Sequence, residues 1–321
     1  ESDFQLISPV VPVSKMNRLF SGNAAYLGLF KPDSDGYWRG NLKKYGIDDN
    51  GNLLQKDGSL AVDTKTGNIL PSAKSCWNDI DDGYTVDKGG VGAVMLTQSG
   101  RHFYTYDSTN GTALLSGSTY NSFADLSSGT NITYNGVLGL TSAAQKSDLI
   151  DFIRAEDAYG PAGALKLPWV MGDILHSRPQ AMYDGNYTIL FVGTNDGFMR
   201  CFADNGQGTN TLSDDTVTEN WCFVPWELLS TLKELHPSYK TNSIHNYFVD
   251  GPPSLYTVGS NKYLTFGLRR GGSVYYTLDV GNVNTTTGDL VPNTWNYLNV
   301  SFAWKINSNI FGTGGETLGE S

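Results

Sequence analysis

FVGTNDGFMRCFADNGQ, residues 191–207, is the stretch whose reading decides the fold. An apolar run enters Asn195-Asp196-Gly197, a second run leaves through Met199 to Ala203, and Asn205-Gly206 stops it. Asn and Asp tolerate left-handed backbone and Gly supplies it without steric cost, so the triplet predicts a tight hairpin turn between two strands. The stretch reads as half a blade of a β-propeller. Such blades occur in quinone-dependent dehydrogenases, lectins and cell-surface adhesins, and a hairpin alone does not choose among them.

Composition extends the β reading to the whole chain. Of 321 residues, 37 are Gly, 18 Tyr and 14 Phe, and 17% are charged. Glycine, aromatics and short apolar runs suit a turn-rich β architecture, whereas a helical bundle needs more Ala, Leu, Glu and Lys. The net charge of −10 and the lack of any basic run exclude a duplex nucleic-acid binder and disfavour an anionic membrane surface. No stretch approaches the ~20 consecutive apolar residues of a membrane span. Glu1-Ser2-Asp3-Phe4 has no signal-peptide character, so the chain is expected to begin after a processing point or inside a larger protein. The cysteines, Cys76, Cys201 and Cys222, lack C-x-x-C spacing, which argues against zinc and thioredoxin-type sites.

Internal repetition supports a propeller. FYTYDSTNG (103–111), MRCFADNG (199–206) and VYYTLDVGN (274–282) align on Tyr106, Phe202 and Leu278, at steps longer than the ~40–50 residues of one blade. Val274, Tyr276, Leu278 and Val280 alternate with Tyr275, Thr277 and Asp279, as a two-faced strand requires. Trp221 follows the second repeat and Trp304 the third, each within a further apolar strand. Two short rim helices interrupt the pattern. One spans 141–157, capped by Thr141 or Ser142, with Leu149, Ile150, Phe152 and Ile153 as its apolar face. The other spans 225–235, with Pro225 at its start and Leu228, Leu229, Leu232 and Leu235 on one side.

Seven phrases in order carry a family resemblance: FKPDSDGYWRGNLKKYGID (30–48), LIDFIRAED (149–157), GDILHSRPQ (172–180), LFVGTNDGFMRCF (190–202), WCFVPWELLSTLK (221–233), HNYFVDGPPSLY (245–256) and GLRRGGSVYYTLDV (267–280). In content and order they resemble the C-terminal propeller region of the PilC/PilY family of type IV pilus tip adhesins and assembly factors. The resemblance implies a seven-bladed propeller, export to the cell surface, minor pilins as partners, and a role in pilus extension, adhesion to a host or abiotic surface, and twitching motility. Three departures stand out: no N-terminal von Willebrand factor A-like domain, no Asp-x-Asp-x-Asp-Gly calcium loop, and an end at Ser321 where the family pattern continues. The expectation is a single domain over 1–321, an incomplete propeller whose remaining segment lies outside this chain.

Acidic loops make calcium the first cofactor to consider, because the ion takes six to eight oxygens from carboxylates on alternate residues. Asp48, Asn50 and Asn52 alternate, but Leu53 and Ser59 stand where a turn glycine and a closing glutamate belong. Asp79 and Asp81, with Asp87 as a third ligand, are the better set; the competing reading is turn chemistry. Cys201 and Cys222 sit in what reads as adjacent strands, and in an oxidising compartment they are expected to pair, stabilising by on the order of 3 kcal/mol. The long loops at 204–220 and 281–293 and the acidic loop at 79–87 are the candidate contacts for partners.

Catalysis has little support. No G-x-S-x-G elbow occurs. Asp173 with His176, and His245 with Asp250, are the sequence-adjacent acid–base pairs, and both belong to phrases of the resemblance. A quinone-dependent propeller dehydrogenase needs calcium, an Asp base and a stacking Trp, for which Trp38, Trp77 and Trp169 are candidates. That enzyme and a surface lectin are the alternatives to a non-catalytic pilus factor.

Overall fold

The computed structural model describes residues 5–10, 24–106, 133, 135–154, 169–206, 212–296 and 300–307. It is mostly β. Among the described residues, three sheets hold thirteen strands: β1 (Gln5–Val10), β2 (Ala24–Lys31), β3 (Arg39–Ile47) and β4 (Leu53–Leu54) form the first. β6 (Gln180–Tyr183), β7 (Thr188–Gly193), β8 (Met199–Asp204) and β9 (Val217–Val224) form the second, and β5 (Phe103–Thr105) adds to its β9 edge. β10 (Ser254–Val258), β11 (Asn261–Gly267), β12 (Val274–Asn282) and β13 (Ser301–Asn307) form the third. Within each sheet, four strands consecutive in sequence pair antiparallel, so each sheet contains one up-and-down meander.

The meanders stack face to face. Ile189, Phe191, Met199, Cys201 and Trp221 on one face of the second sheet share a core with Leu264, Phe266, Tyr276 and Leu278 of the third. Leu190, Val192, Phe202 and Val217 on its other face share a core with Ala24, Tyr26 and Leu42 of the first. The alternation along β7 and β8 thus serves two different neighbours, which is why both strands are buried throughout.

The second and third repeat segments are structurally equivalent. Cys201 lies opposite Trp221 and Thr277 opposite Trp304, and in each case the register breaks one residue later, between Cys201 and Phe202 and between Thr277 and Leu278. A β-bulge at the same place in both meanders is a shared structural feature. The first repeat segment is not equivalent. Phe103–Thr105 joins β9 in parallel, which no hairpin-connected third strand can do; the third strand of the first meander is β3.

Helix α1 (Gly90–Thr97) has no clear signal in the sequence, since glycine in a helix costs about 1 kcal/mol relative to alanine. Packing overrides propensity there: a Cβ on Gly92 would lie 2.2 Å from the Trp169 ring, so only glycine lets the helix seat against that indole. Helix α2 (Ala143–Arg154) buries Leu149, Ile150, Phe152 and Ile153, as its periodicity predicts. Ser142 Oγ accepts the Gln145 N–H at 3.2 Å, and Gln145 Oε1 accepts the Thr141 N–H at 2.8 Å, a reciprocal cap. Residues 155–157 of the expected helix lie outside the described residues. The second expected helix is a run of 3-10 turns, Trp226–Leu235, after Pro225. Leu229, Leu232 and Leu235 recur every three residues, the period of that helix.

The expected disulfide is not formed; Cys76, Cys201 and Cys222 are buried free thiols. In register Cys201 faces Trp221, while Cys222 faces Arg200. Adjacent positions on paired strands point to opposite faces, so the two sulfurs sit on opposite sides of the sheet.

Candidate functional site

The β7–β8 turn is the hub of a buried polar network at one end of the three meanders. Its backbone closes through the Thr194 N–H to Phe198 C=O bond at 2.8 Å, with Gly197 at φ 110°. The Asn195 side chain bonds to two neighbouring segments. Its Nδ2 donates to Asp173 Oδ1 at 2.7 Å and to Asp250 Oδ1 at 3.2 Å, and its Oδ1 accepts the Phe248 N–H at 2.9 Å. Asp173 precedes β6 and Asp250 precedes β10, so one amide ties the entries of two meanders together.

Each of those carboxylates also holds a histidine, with the partners crossed relative to sequence neighbourhood. His245 Nε2 meets Asp173 Oδ2 at 2.6 Å, and His176 Nδ1 meets Asp250 Oδ2 at 2.8 Å. Arg269, in the β11–β12 turn, reaches Asp250 Oδ2 at 3.3 Å. Trp38, in the β2–β3 turn, stacks on the His245 ring at 4.0 Å, and Tyr247 meets that ring edge-on at 4.7 Å. Asp173, Asp250 and Asn195 are buried, and His176 and Arg269 form the rim in contact with solvent.

A second chain of charges leaves the same turn. Asp196 Oδ2 accepts the Gly172 N–H at 2.7 Å and an Arg200 N–H at 2.6 Å. Arg200 also donates to Glu219 Oε1, and Arg101 donates to Glu219 Oε2. All four side chains are buried. The two guanidinium groups overcome the burial that would raise Glu219, and hold its carboxyl below the usual range. Burial, followed by the Asp196 charge, pushes the nearby Tyr37 hydroxyl well up, so it stays protonated.

Apart from Arg101 and Glu219, these groups come from five of the seven family-like phrases: Trp38 from the first, Asp173 and His176 from GDILHSRPQ, Asn195, Asp196 and Arg200 from LFVGTNDGFMRCF, His245 and Asp250 from HNYFVDGPPSLY, and Arg269 from GLRRGGSVYYTLDV. Sequence reasoning treated the triplet at 195–197 as turn chemistry and missed the network. The available signal was Arg200, a charge inside an apolar strand buried on both faces.

The calcium set does not assemble. Asp79 pairs with Lys56 at 2.6 Å, Asp81 approaches Lys74 at 3.8 Å, and Asp87 is taken by Arg39. Asp79 and Asp81 are exposed, and among the described residues no three His, Cys, Asp or Glu groups are placed to hold a metal. The inward carboxylate of this loop is Asp82, and it faces Lys43. Of the three candidate stacking tryptophans, Trp77 and Trp169 are buried in the core, donating their indole N–H to Asp204 Oδ1 at 3.0 Å and to the Gly40 carbonyl at 2.6 Å, and Trp38 is stacked on His245. The 281–293 loop is tied down by Leu290, whose N–H reaches the Tyr183 carbonyl at 3.1 Å, leaving Asn284 to Thr286 exposed.

Comparison with known proteins agrees with the motif reading. Over 168 residues, half of this chain, the sequence is 32% identical to the Type IV pilus biogenesis factor PilY1 homolog of Xylella fastidiosa. The PilC/PilY resemblance holds. The PilY-like stretch covers about a tenth of that relative's length. No family model matches the chain, and no solved structure matches it. Among the described residues, no helix is long and apolar enough to cross a membrane.

Proposed function

We propose that this PilY-like chain is part of the β-propeller of an exported type IV pilus biogenesis factor, acting at the pilus tip by binding and not by catalysis. The observation that carries the reading is the convergence of the family-like phrases on one buried network in which each acidic group is already engaged. Asp173, Asp250 and Asp196 each meet two or more protein partners, and the two histidines are held by carboxylates. A general base needs a lone pair facing substrate, and these carboxylates face the protein. The network instead fixes the stacking of three meanders, as a rigid scaffold for surface loops requires.

Stacking supports the propeller. Trp221 is fully buried against the third sheet and donates its indole N–H to the Trp295 carbonyl at 3.1 Å. Its equivalent, Trp304, is 38% exposed, on a face with Thr277, Thr265 and the stacked pair Tyr256 and Tyr263. By the repeat, a further four-stranded meander covers that face in the whole protein. The partners are then minor pilins and a host or abiotic surface ligand, reached through loop segments on the propeller.

The test is genetic and biochemical. Deleting the gene in its piliated host should abolish surface pili and attachment, and tagged protein should recover minor pilins. Normal piliation and attachment after deletion would sink the reading. Calcium-dependent oxidation of alcohols or sugars with added quinone would replace it with the dehydrogenase alternative.

A further inference from the structure

Two adjacent lysines on β3 enter two acidic loops, Lys43 the 79–87 loop in which calcium was the expectation and Lys44 the one that holds Asp204 and Asp215. Side chains at consecutive strand positions leave on opposite faces. Lys43 Nζ donates to the carbonyls of Asp82, Gly83 and Thr85 at 2.8, 3.0 and 2.8 Å and lies 3.0 Å from Asp82 Oδ2. Lys44 Nζ lies 2.8 Å from Asp204 Oδ2 and 2.7 Å from Asp215 Oδ2, and donates to the Gly206 carbonyl at 3.1 Å. Both ammonium groups are buried.

We propose that Lys43 and Lys44 are resident cations: each ammonium group occupies the oxygen cage that a bound metal ion would otherwise fill, so both loops fold without calcium. Three features of the cages support this. The hydrogen-bonding partners of Nζ in both cages are carboxylate or carbonyl oxygens, the ligand class of hard cations. The cages are closed by the chain itself: a Cβ on Gly206 would lie 2.1 Å from Lys44 Nζ, and a Cβ on Gly89 would lie 2.0 Å from Asp82 Oδ2. The surroundings are also built to hold the acids in place. Asp204 accepts from the Tyr26 hydroxyl, the Trp77 indole and the Gly206 N–H, and Asp82 accepts the Ser75 N–H and hydroxyl, both at 2.7 Å.

The two cages differ in charge. Burial opposes the Lys44 charge, but Asp204 and Asp215 together outweigh it and hold its pKa above the ordinary value. Lys43 has one carboxylate, and burial pulls it down to about 8. Both groups are ammonium at pH 7. The Lys44 cage, with two carboxylates, suits a divalent ion once the lysine is gone, and the Lys43 cage, with one carboxylate and three carbonyls, suits a monovalent one.

The test uses Lys44→Ala, with Lys44→Met to keep the stem while deleting the charge. The readouts are Tm and the Trp77 indole N–H resonance, which reports directly on Asp204. In wild type, millimolar CaCl2 or EDTA should leave the Trp77 resonance unmoved. Lys44→Ala should lose several degrees of Tm, on the scale of roughly 2–4 °C per kcal/mol for a domain of this size. Calcium chloride or ethylammonium chloride, but not tetramethylammonium chloride at equal ionic strength, should restore Tm saturably and shift the Trp77 resonance. If Lys44→Ala is unfolded at purification, refolding from urea with and without these ions is the readout. Wild-type Trp77 moving with calcium, Lys44→Met matching wild type in Tm, or no ion restoring Lys44→Ala would each overturn the proposal.

Discussion

Replacing Asn195 with alanine isolates what the network contributes. The substitution deletes two N–H donors to carboxylates and the acceptor for the buried Phe248 N–H. Hydrogen bonds to charged groups contribute about 1.5–3 kcal/mol each, and a buried donor left unmet costs about 1–3 kcal/mol. Because Asp173 and Asp250 keep their histidines, the losses overlap, and the expected net destabilisation is about 3–5 kcal/mol. A folded domain has about 5–15 kcal/mol in all. Urea unfolding followed by tryptophan fluorescence should therefore show a midpoint lower by roughly 1–2 M at unchanged slope. Asn195→Asp should be at least as damaging at pH 7, since it keeps the acceptor but turns a third carboxylate toward the other two. A loss below about 1 kcal/mol for Asn195→Ala, or tolerance of Asn195→Asp, would refute the claim that this amide ties the two meander entries together.

Trp221→Ala should cost about 3–5 kcal/mol by chemical denaturation, and Trp304→Ala under about 1 kcal/mol in this chain, because only the first indole is enclosed; equal losses would remove the argument from repeat equivalence. Thiol titration in urea without reductant should count three free cysteines, with no mass change on reduction. In the native state the thiols should be slow to react, since burial pushes Cys76 up to about 12 and the other two well up. Burial, with Arg154 adding at His102, lowers the pKa of both His102 and His236 in the fold. The folded state keeps them neutral while the unfolded chain takes up protons below about 6.5, so their contribution is complete above that pH and is lost as pH falls toward the folded values. His236→Gln should flatten the acid limb of a stability-against-pH curve, and an unchanged limb would exclude His236 as its source.

Much of the architecture was legible because it rests on local periodicities. The Asn-Asp-Gly turn, the alternation in β12, the apolar face of α2 and the equivalence of the second and third repeats follow from side-chain direction over a few residues. The misreadings concern contacts that cross between segments. Phe103–Thr105 looks like a third strand of a meander by composition, and only pairing shows it parallel at an edge. Cys201 and Cys222 are placed on paired strands correctly, but one residue of register decides whether sulfurs meet or face away. Helix α1 is invisible because its glycines answer to residues distant in sequence, Gly90 to Asn41 and Leu42 and Gly92 to Trp169.

The candidate site illustrates the same limit in chemistry. Asp173 and His176, or His245 and Asp250, look like acid–base pairs because they are neighbours in sequence. The fold exchanges the partners, so that each pair joins the segment before β6 to the segment before β10. A pairing within one segment would leave the two meanders free to shift, whereas the crossed pairing, with Asn195 between the carboxylates, resists that shift at three points. The acidic loops follow the same logic. Asp82, Asp204 and Asp215 resemble metal ligands in isolation, yet their counter-ions, Lys43 and Lys44, are supplied from a strand distant in sequence. Buried charge is tolerated in a protein when it is matched and hydrogen-bonded. Among the described residues, the buried charges around Asp173 and Asp250, around Glu219, and around Lys43 and Lys44 are matched across sheets or loops, which places these polar residues in the service of the fold.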